Sequence, residues 1–245
     1  MKRVLEFIEE KKREQDASRF LAFIRDQNIH PGSRFSFVPC MAPFVMGFAD
    51  LNKYVLRDEA SQDPLQKVIN THTQEDDHHF GMFLRDLKTL GLDSSMNLSG
   101  ALKMLWSDES RRSRQILYGL ATLISSASPL MRMAIVEAIE AAGNVGFKRY
   151  NQTAAEFHQA TGQRLYYFGD AHLNLESGHV MGTVNVEQKL SEIVLTPEQV
   201  EQACALVTRV FELIIDMGEG FMEYMQIHGL INPKVWASPG AATGS

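Results

Sequence analysis

Two pairs of histidines share the same spacing in this 245-residue sequence. His72 and His79 are seven residues apart, and so are His172 and His179. Seven residues of an α-helix turn through about 700°, close to two full turns, so each pair is expected on one helical face. Glu176 shares the face of the second pair. Imidazole and carboxylate groups that converge in this way are typical ligands of a transition metal.

Further carboxylates occur in segments that are expected to be helical. Glu75 and Asp76 share the face of His72. Glu137 and Glu140 stand in the apolar stretch MAIVEAIEAAGNVGF, where an acidic side chain is out of place without a cationic partner. We expect Glu140 to face inward, and whether Glu137 also takes part stays open. Whether His72, Glu75 or Asp76 supplies the first ligand stays open at this level.

The mixture of donor atoms narrows the choice of metal. Structural zinc usually takes cysteine and histidine, and calcium takes oxygen ligands only. Imidazole with carboxylate on facing helices suits iron or manganese, typically as a pair of ions bridged by a carboxylate. Six ligands are too many for one ion with open positions and about right for two. The predicted ligands are His72, His79, Glu140, His172, Glu176 and His179.

Long helices must position these side chains. A capping residue followed by proline, a typical helix start, occurs at Asp63-Pro64, Ser128-Pro129 and Thr196-Pro197. Apolar residues recur at helical spacing, which predicts helices at about 64–90, 129–161 and 197–228, with others near 3–28, 34–56, 98–126 and 166–180. Residues 180–196 are expected to form a loop. The sequence thus predicts an all-α, single-domain bundle of about seven helices over residues 1–230, followed by a flexible tail, 231–245.

Bulk composition excludes several functional classes. The net charge of −6 provides no basic surface for nucleic acid. No apolar run reaches the ~18 residues that a membrane span requires. The charged N-terminal stretch MKRVLEFIEEKKREQ does not resemble a signal peptide. Cys40 and Cys204 are far apart and fit a reducing compartment. We therefore expect a cytoplasmic protein that binds neither membrane nor nucleic acid.

Ferritin-like bundles are one architecture with such sites, and they use two Glu-x-x-His motifs plus lone glutamates. The sequence contains Glu75-x-x-His78 and Glu176-x-x-His179. However, no lone glutamate is obvious about one helix before the first motif. The ferritin-like arrangement also leaves three other histidines without a role.

A different family matches the order of the ligands better. The series His72-x6-His79, then Glu140, then His172-x3-Glu176-x2-His179 resembles the haem-oxygenase-like diiron oxidases and oxygenases, whose pattern is Glu-x6-His, a later Glu, and His-x3-Asp/Glu-x2-His. The sequence departs from this pattern at position 72, where histidine replaces the usual glutamate. Glu75 or Asp76 is then a candidate for the missing carboxylate.

Aromatic residues, together with one methionine, flank the predicted ligands in two stretches. One stretch contributes Phe35, Phe37, Phe44, Met46 and Phe48, and the other contributes Tyr166, Tyr167 and Phe168. Plain core packing is one interpretation of these residues. The other is an aromatic wall beside the metals, suited to a flat apolar substrate.

The resemblance implies a haem-oxygenase-like fold, two Fe(II) ions and O2 as co-substrate. Members of the family N-oxygenate amines, cleave C–C bonds in amino acids or decarboxylate fatty acids. The aromatic surroundings and His72 are most similar to the nitrile-forming members that act on a tryptophan side chain. We therefore expect an amino-acid substrate, tryptophan-like, with N-oxidation and C–C scission that lead to a nitrile. An external electron donor and a homodimer are compatible with the sequence, and a non-catalytic metal-binding bundle is the alternative from another class.

Overall fold

Every regular element in the described residues is a helix, which confirms the all-α prediction. The structure is a computed structural model that describes residues 1–76, 78–176 and 189–231, apart from the side chains of residues 175 and 176. The eleven α-helices whose two ends are described are α1 (Lys2–Asp16), α2 (Arg19–Arg25), α3 (Pro31–Arg34), α4 (Val38–Leu51), α5 (Pro64–Asp76), α6 (Phe80–Thr89), α7 (Leu98–Leu105), α8 (Arg111–Ser125), α9 (Pro129–Thr161), α10 (Asp170–Glu176) and α11 (Pro197–Ile227), and a π-helical turn (Asn52–Leu56) follows α4.

The prediction of about seven helices is wrong, because several predicted helices are divided by local caps. The break between α7 and α8 illustrates the cause. The Ser110 hydroxyl donates to the carbonyls of Met104 and Leu105 at 2.9 and 2.8 Å. The Arg114 guanidinium donates to the carbonyls of Trp106 and Ser107 at 3.3 and 3.0 Å. These side chains satisfy carbonyl groups that a continuous helix would have used.

The structure confirms the three helix starts that were predicted from a capping residue followed by proline. The Asp63 carboxylate accepts from the backbone N–H of Leu65 at 2.8 Å, and the Ser128 hydroxyl caps α9. At α11, the Thr196 hydroxyl accepts from the N–H of Gln199 at 3.2 Å, and the Gln199 side chain accepts from the N–H of Thr196 at 3.0 Å. This reciprocal pair is the capping box that the sequence indicates.

Replacing Thr196 by alanine is expected to lower the free energy of unfolding by about 1 kcal/mol, because the backbone N–H of Gln199 at the start of α11 loses its acceptor, the Thr196 hydroxyl. Urea denaturation measures this change. Thr122→Ala is the matched control, since Thr122 is exposed in the last turn of α8, away from any N-cap, and alanine favours the helix there. Equal destabilisation by the two substitutions would contradict the role of the cap.

Helix α9 is the central rod of the bundle. It is 33 residues long and contacts α1, α2, α3, α5, α8, α10 and α11. An aromatic cluster fills the core beside it, with the ring centroid of Phe37 between 4.9 and 6.1 Å from those of Phe20, Tyr150, Phe168 and Phe221. Because α9 contacts both α5 and α10, it can hold side chains from early and late segments at one place.

Two predicted segments lie largely outside the described residues. The predicted tail, 231–245, is described only at its first residue. Of the predicted loop, 180–196, residues 189–192 are helical and residues 193–196 lead into α11. Among the described residues, no helix combines the length and apolar character needed to cross a membrane.

Candidate metal centre

One half of the candidate site lies between α5 and α9. His72 Nε2 is 3.2 Å from Glu140 Oε1 and 3.6 Å from Asp76 Oδ2. Ligand atoms of the three side chains all lie within 4.8 Å of one another, and the described part of the chain contains no second group of this kind. His72 is 2% exposed and Asp76 is 6% exposed. Two carboxylates in such a buried place require positive charge nearby, which a divalent metal ion supplies.

Two further histidines continue the site toward α10. His79 Nδ1 is 3.1 Å from His172 Nε2 and 3.5 Å from Asp76 Oδ1. Asp76 therefore presents one carboxylate oxygen to His72 and the other to His79. A carboxylate with imidazoles on both sides is placed to bridge two metal ions.

The separations between donor atoms fit the geometry around a metal ion. Two ligands that each lie ~2.1 Å from a metal and subtend a right angle are ~3 Å apart. The distances from His72 to Glu140 and from His79 to His172 are 3.2 and 3.1 Å. An imidazole–imidazole hydrogen bond would also explain the second distance. A metal site is favoured because Asp76 lies close both to the pair His72 and Glu140 and to the pair His79 and His172.

The predicted continuous helix over 64–90 is wrong. Helix α5 ends at Asp76, and His79 is the N-cap residue of α6. His79 therefore reaches Asp76 through a turn and not through a helical stripe shared with His72. The result is nevertheless a short distance between His79 and His172, because the turn brings the imidazole toward α10.

Aromatic rings hold the imidazole of His172. The ring of Tyr167 stacks on it, with a centroid distance of 4.7 Å and an interplanar angle of 19°. The ring of Phe147, on α9, meets it edge-on at 4.2 Å and 79°. With His172 only 2% exposed, contacts on two sides restrict the rotation of its ring. Its Nε2 atom is thus held beside His79.

A buried carboxylate on α6 anchors the chain just before α10. Asp86 is fully buried and accepts hydrogen bonds from three successive backbone N–H groups, those of Tyr166, Tyr167 and Phe168, at 2.7, 2.8 and 3.1 Å. Burial raises the pKa of Asp86, while the three backbone donors act in the opposite direction. Because these N–H groups bind the carboxylate, α10 begins at Asp170 and not at the predicted residue 166.

Two predicted ligands cannot be placed. Glu176 is the last residue of α10, but its side chain lies outside the described part of the structure. His179 falls in residues 177–188, which also lie outside it. The ligand roles of both residues stay predictions.

The remaining candidates differ in burial and position. His72 and Asp76 both belong to the close group, whereas the half-buried Glu75 lies outside it. Glu137 is also half-buried and outside the group. His78 is exposed, so the ferritin-like use of Glu75-x-x-His78 receives no support from its position.

A cavity of about 120 Å³ adjoins the cluster. Asp76, His79, Glu140 and His172 form part of its wall. The rest is mainly apolar and comes from α4, α9, α11 and the segment before α10. An apolar cavity with a few convergent polar groups is the usual form of a small-molecule site.

The predicted aromatic wall is present in part. Phe44, Phe48 and Tyr167 line the cavity, together with Phe147 and Tyr150, which the sequence did not single out. The other residues that were predicted for the wall lie in the core or closer to the protein surface. Phe35, Phe37 and Phe168 are buried in the core, Tyr166 is half-buried and Met46 is 42% exposed.

No protein-family model matches this sequence, and no curated protein matches it.

Proposed function

We propose that this protein is a non-haem diiron oxidase or oxygenase with a haem-oxygenase-like fold. The observation that carries the proposal is the position of Asp76, with one oxygen toward His72 and the other toward His79. Two metal ions would be held by His72 and Glu140 on one side and by His79 and His172 on the other, with the Asp76 carboxylate available to both. We propose Glu176 and His179 as further ligands on the basis of the sequence pattern alone. A single-ion site would leave half of these donors unexplained.

The donor set fits iron. It combines neutral imidazoles with carboxylates and includes no thiolate among the described residues that form it. When bound, two Fe(II) ions supply the reducing power that activates O2. The side chains of His72, Asp76, Glu140, His79 and His172 would hold the ions, and the apolar wall of the cavity lies beside them. Exclusion of water from the oxidant is what such a wall contributes.

The shape and lining of the cavity favour a flat, apolar substrate that would lie directly beside the proposed metal ligands. Phe147 and Tyr167 contact His172 and also line the cavity, so a ring bound there would lie beside the metal centre. We propose an aromatic, tryptophan-like amino acid as the substrate. Oxidation at its amine nitrogen and scission of the bond to its carboxyl group would give a nitrile and CO2, and the four electrons removed would reduce one O2 to two water molecules. An external donor would serve only to keep the ions ferrous. N-oxygenation alone or decarboxylation of a fatty acid are the other reactions proposed for such a centre.

Anaerobic loading with Fe(II) followed by exposure to O2 tests the proposal. We expect two iron ions per chain and O2 consumption that increases when an aromatic amino acid is added. Bound iron without O2 consumption, across a panel of amino acids and fatty acids, would indicate a non-catalytic metal-binding bundle instead. Absence of bound iron would contradict both.

A substitution at Gly143 can test substrate binding separately from metal binding. It lines the cavity on α9, and a Cβ atom added there would meet no atom within 4 Å. Gly143→Leu is therefore expected to fill the cavity, weakening tryptophan binding at least tenfold while iron uptake stays at the wild-type level. Calorimetry and metal analysis measure the two effects.

Gly81→Leu is the matched control, because Gly81 is exposed on α6 and a Cβ atom there also meets open space. It should change neither property. Wild-type tryptophan affinity in Gly143→Leu would mean that the substrate binds elsewhere.

A further inference from the structure

A buried glutamine near the N-terminus, Gln15, forms part of the wall of the cavity that His79 and His172 also line. Gln15 is 5% exposed and lies on the buried face of α1, in register with Val4 and Ile8. The face is otherwise apolar at its buried positions, so a polar side chain there needs a reason. Gln15 also lines the cavity.

The orientation of the Gln15 amide is determined by its neighbour on α9. Its Nε2 donates to the backbone carbonyl of Ala142 at 3.0 Å. A flipped amide would place two oxygens face to face, so the NH2 group must be on this side. The Oε1 atom is then an acceptor, and no donor within the described part of the chain is hydrogen-bonded to it.

A buried amide oxygen without a donor costs stability, because it has given up its hydrogen bonds to water. Gln15 lies at the wall of a cavity that Phe44, Phe48 and Phe147 also line, so a ligand bound in the cavity is a candidate hydrogen-bond donor to this oxygen. A flat ring that lies against this part of the wall can satisfy the oxygen through an N–H or O–H at its edge.

We propose that Gln15 Oε1 accepts a hydrogen bond from the ring edge of the bound aromatic ligand and so selects rings with a donor. The inference rests on the proposed substrate cavity and names what that cavity recognises. It does not depend on the identity of the metal or on O2 chemistry. Among amino acids with a large apolar ring, tryptophan carries such a donor as its indole N–H and tyrosine as its phenol O–H.

Calorimetric binding to the full-length protein under anaerobic conditions tests the inference. The probes are tryptophan against 1-methyltryptophan and tyrosine against O-methyltyrosine, since each methyl group removes one ring donor. The wild-type protein is expected to bind the donor member of at least one pair about tenfold more tightly, and the pair concerned identifies the donor. Equal affinity within both pairs would overturn the inference.

Substitution of Gln15 assigns the preference to this side chain. In Gln15→Met, and in Gln15→Leu as a second apolar variant, the tenfold ratio is expected to fall to about one while the methylated probe still binds. Because the ratio is measured within one variant, a reduced folded fraction does not imitate the effect. Gln152→Met is the control, since Gln152 is exposed on α9, and it should keep the wild-type ratio.

A ratio that persists in both Gln15 variants would overturn the inference. Failure of the proposed function has a different signature, because it would appear as absent iron or absent O2 consumption while the preference for a ring donor remained.

Discussion

Replacing His72 by alanine is expected to lower the iron bound per chain from two ions to one or none. His72 Nε2 is the nitrogen donor that faces both Glu140 and Asp76, at 3.2 and 3.6 Å. Without it, the first half of the site keeps only carboxylates in a buried position, and an ion there loses its imidazole ligand. We expect iron affinity at that position to fall at least 100-fold, as measured by anaerobic titration with Fe(II) and metal analysis after desalting.

His78→Ala is the matched control for this experiment. His78 is adjacent in sequence to the proposed ligand His79, but its side chain is exposed. Its removal should leave two ions bound. The reverse result, in which His78→Ala loses iron and His72→Ala does not, would favour the ferritin-like use of Glu75-x-x-His78 over the site described above.

Replacing Asp86 by asparagine is expected to lower the free energy of unfolding by about 2–3 kcal/mol. The Asp86 carboxylate accepts three backbone hydrogen bonds in a fully buried place. An asparagine amide has one oxygen in place of two, and its NH2 group would face backbone donors that it cannot accept from. Chemical denaturation measures the loss.

A second effect of Asp86→Asn is expected at the metal site. The anchored residues lie directly before α10, and among them Tyr167 stacks on the His172 imidazole. Loosening of this segment should weaken iron binding even in the folded variant. Asp93→Asn is the control, because Asp93 is exposed and outside any helix. Unchanged stability and unchanged iron affinity in Asp86→Asn would contradict the anchoring role.

The parts of the fold that follow from local chemistry could be predicted from the sequence. Helices α9 and α11 begin at Pro129 and Pro197, as predicted, because their capping residues act within a single turn. The break between α5 and α6 could not be predicted in the same way. The stretch QEDDHHF contains neither glycine nor proline, so no local signal ends the helix at Asp76.

The choice between Glu75 and Asp76 shows a similar limit at the site. Neighbouring residues on a helix point about 100° apart, and either direction is compatible with a ligand until the partner helices are placed. The structure brings Asp76 close to His72 on one side and His79 on the other. That direction is defined only by tertiary structure, through the packing of α9 against α5 and the contact of His172 with His79.

Gln15 was not identified from the sequence for a related reason. It stands in a charged helix, KRVLEFIEEKKREQD, where a glutamine is unremarkable. Its significance depends on a cavity whose other walls come from distant segments, including Phe44 on α4 and Phe147 on α9. The spacing of Gln15 from Val4 and Ile8 does place it on the buried face, and this pattern is the signal that could have identified it.

Crystals grown anaerobically with Fe(II) provide the most direct measurement of the central claim, through the anomalous scattering of iron. The account predicts two iron peaks, one contacting His72 and Glu140, the other contacting His79 and His172, with Asp76 between them. An absence of iron at these side chains would contradict the claim. Iron bound at Glu75 and His78, with none at His72 or His172, would contradict it as well.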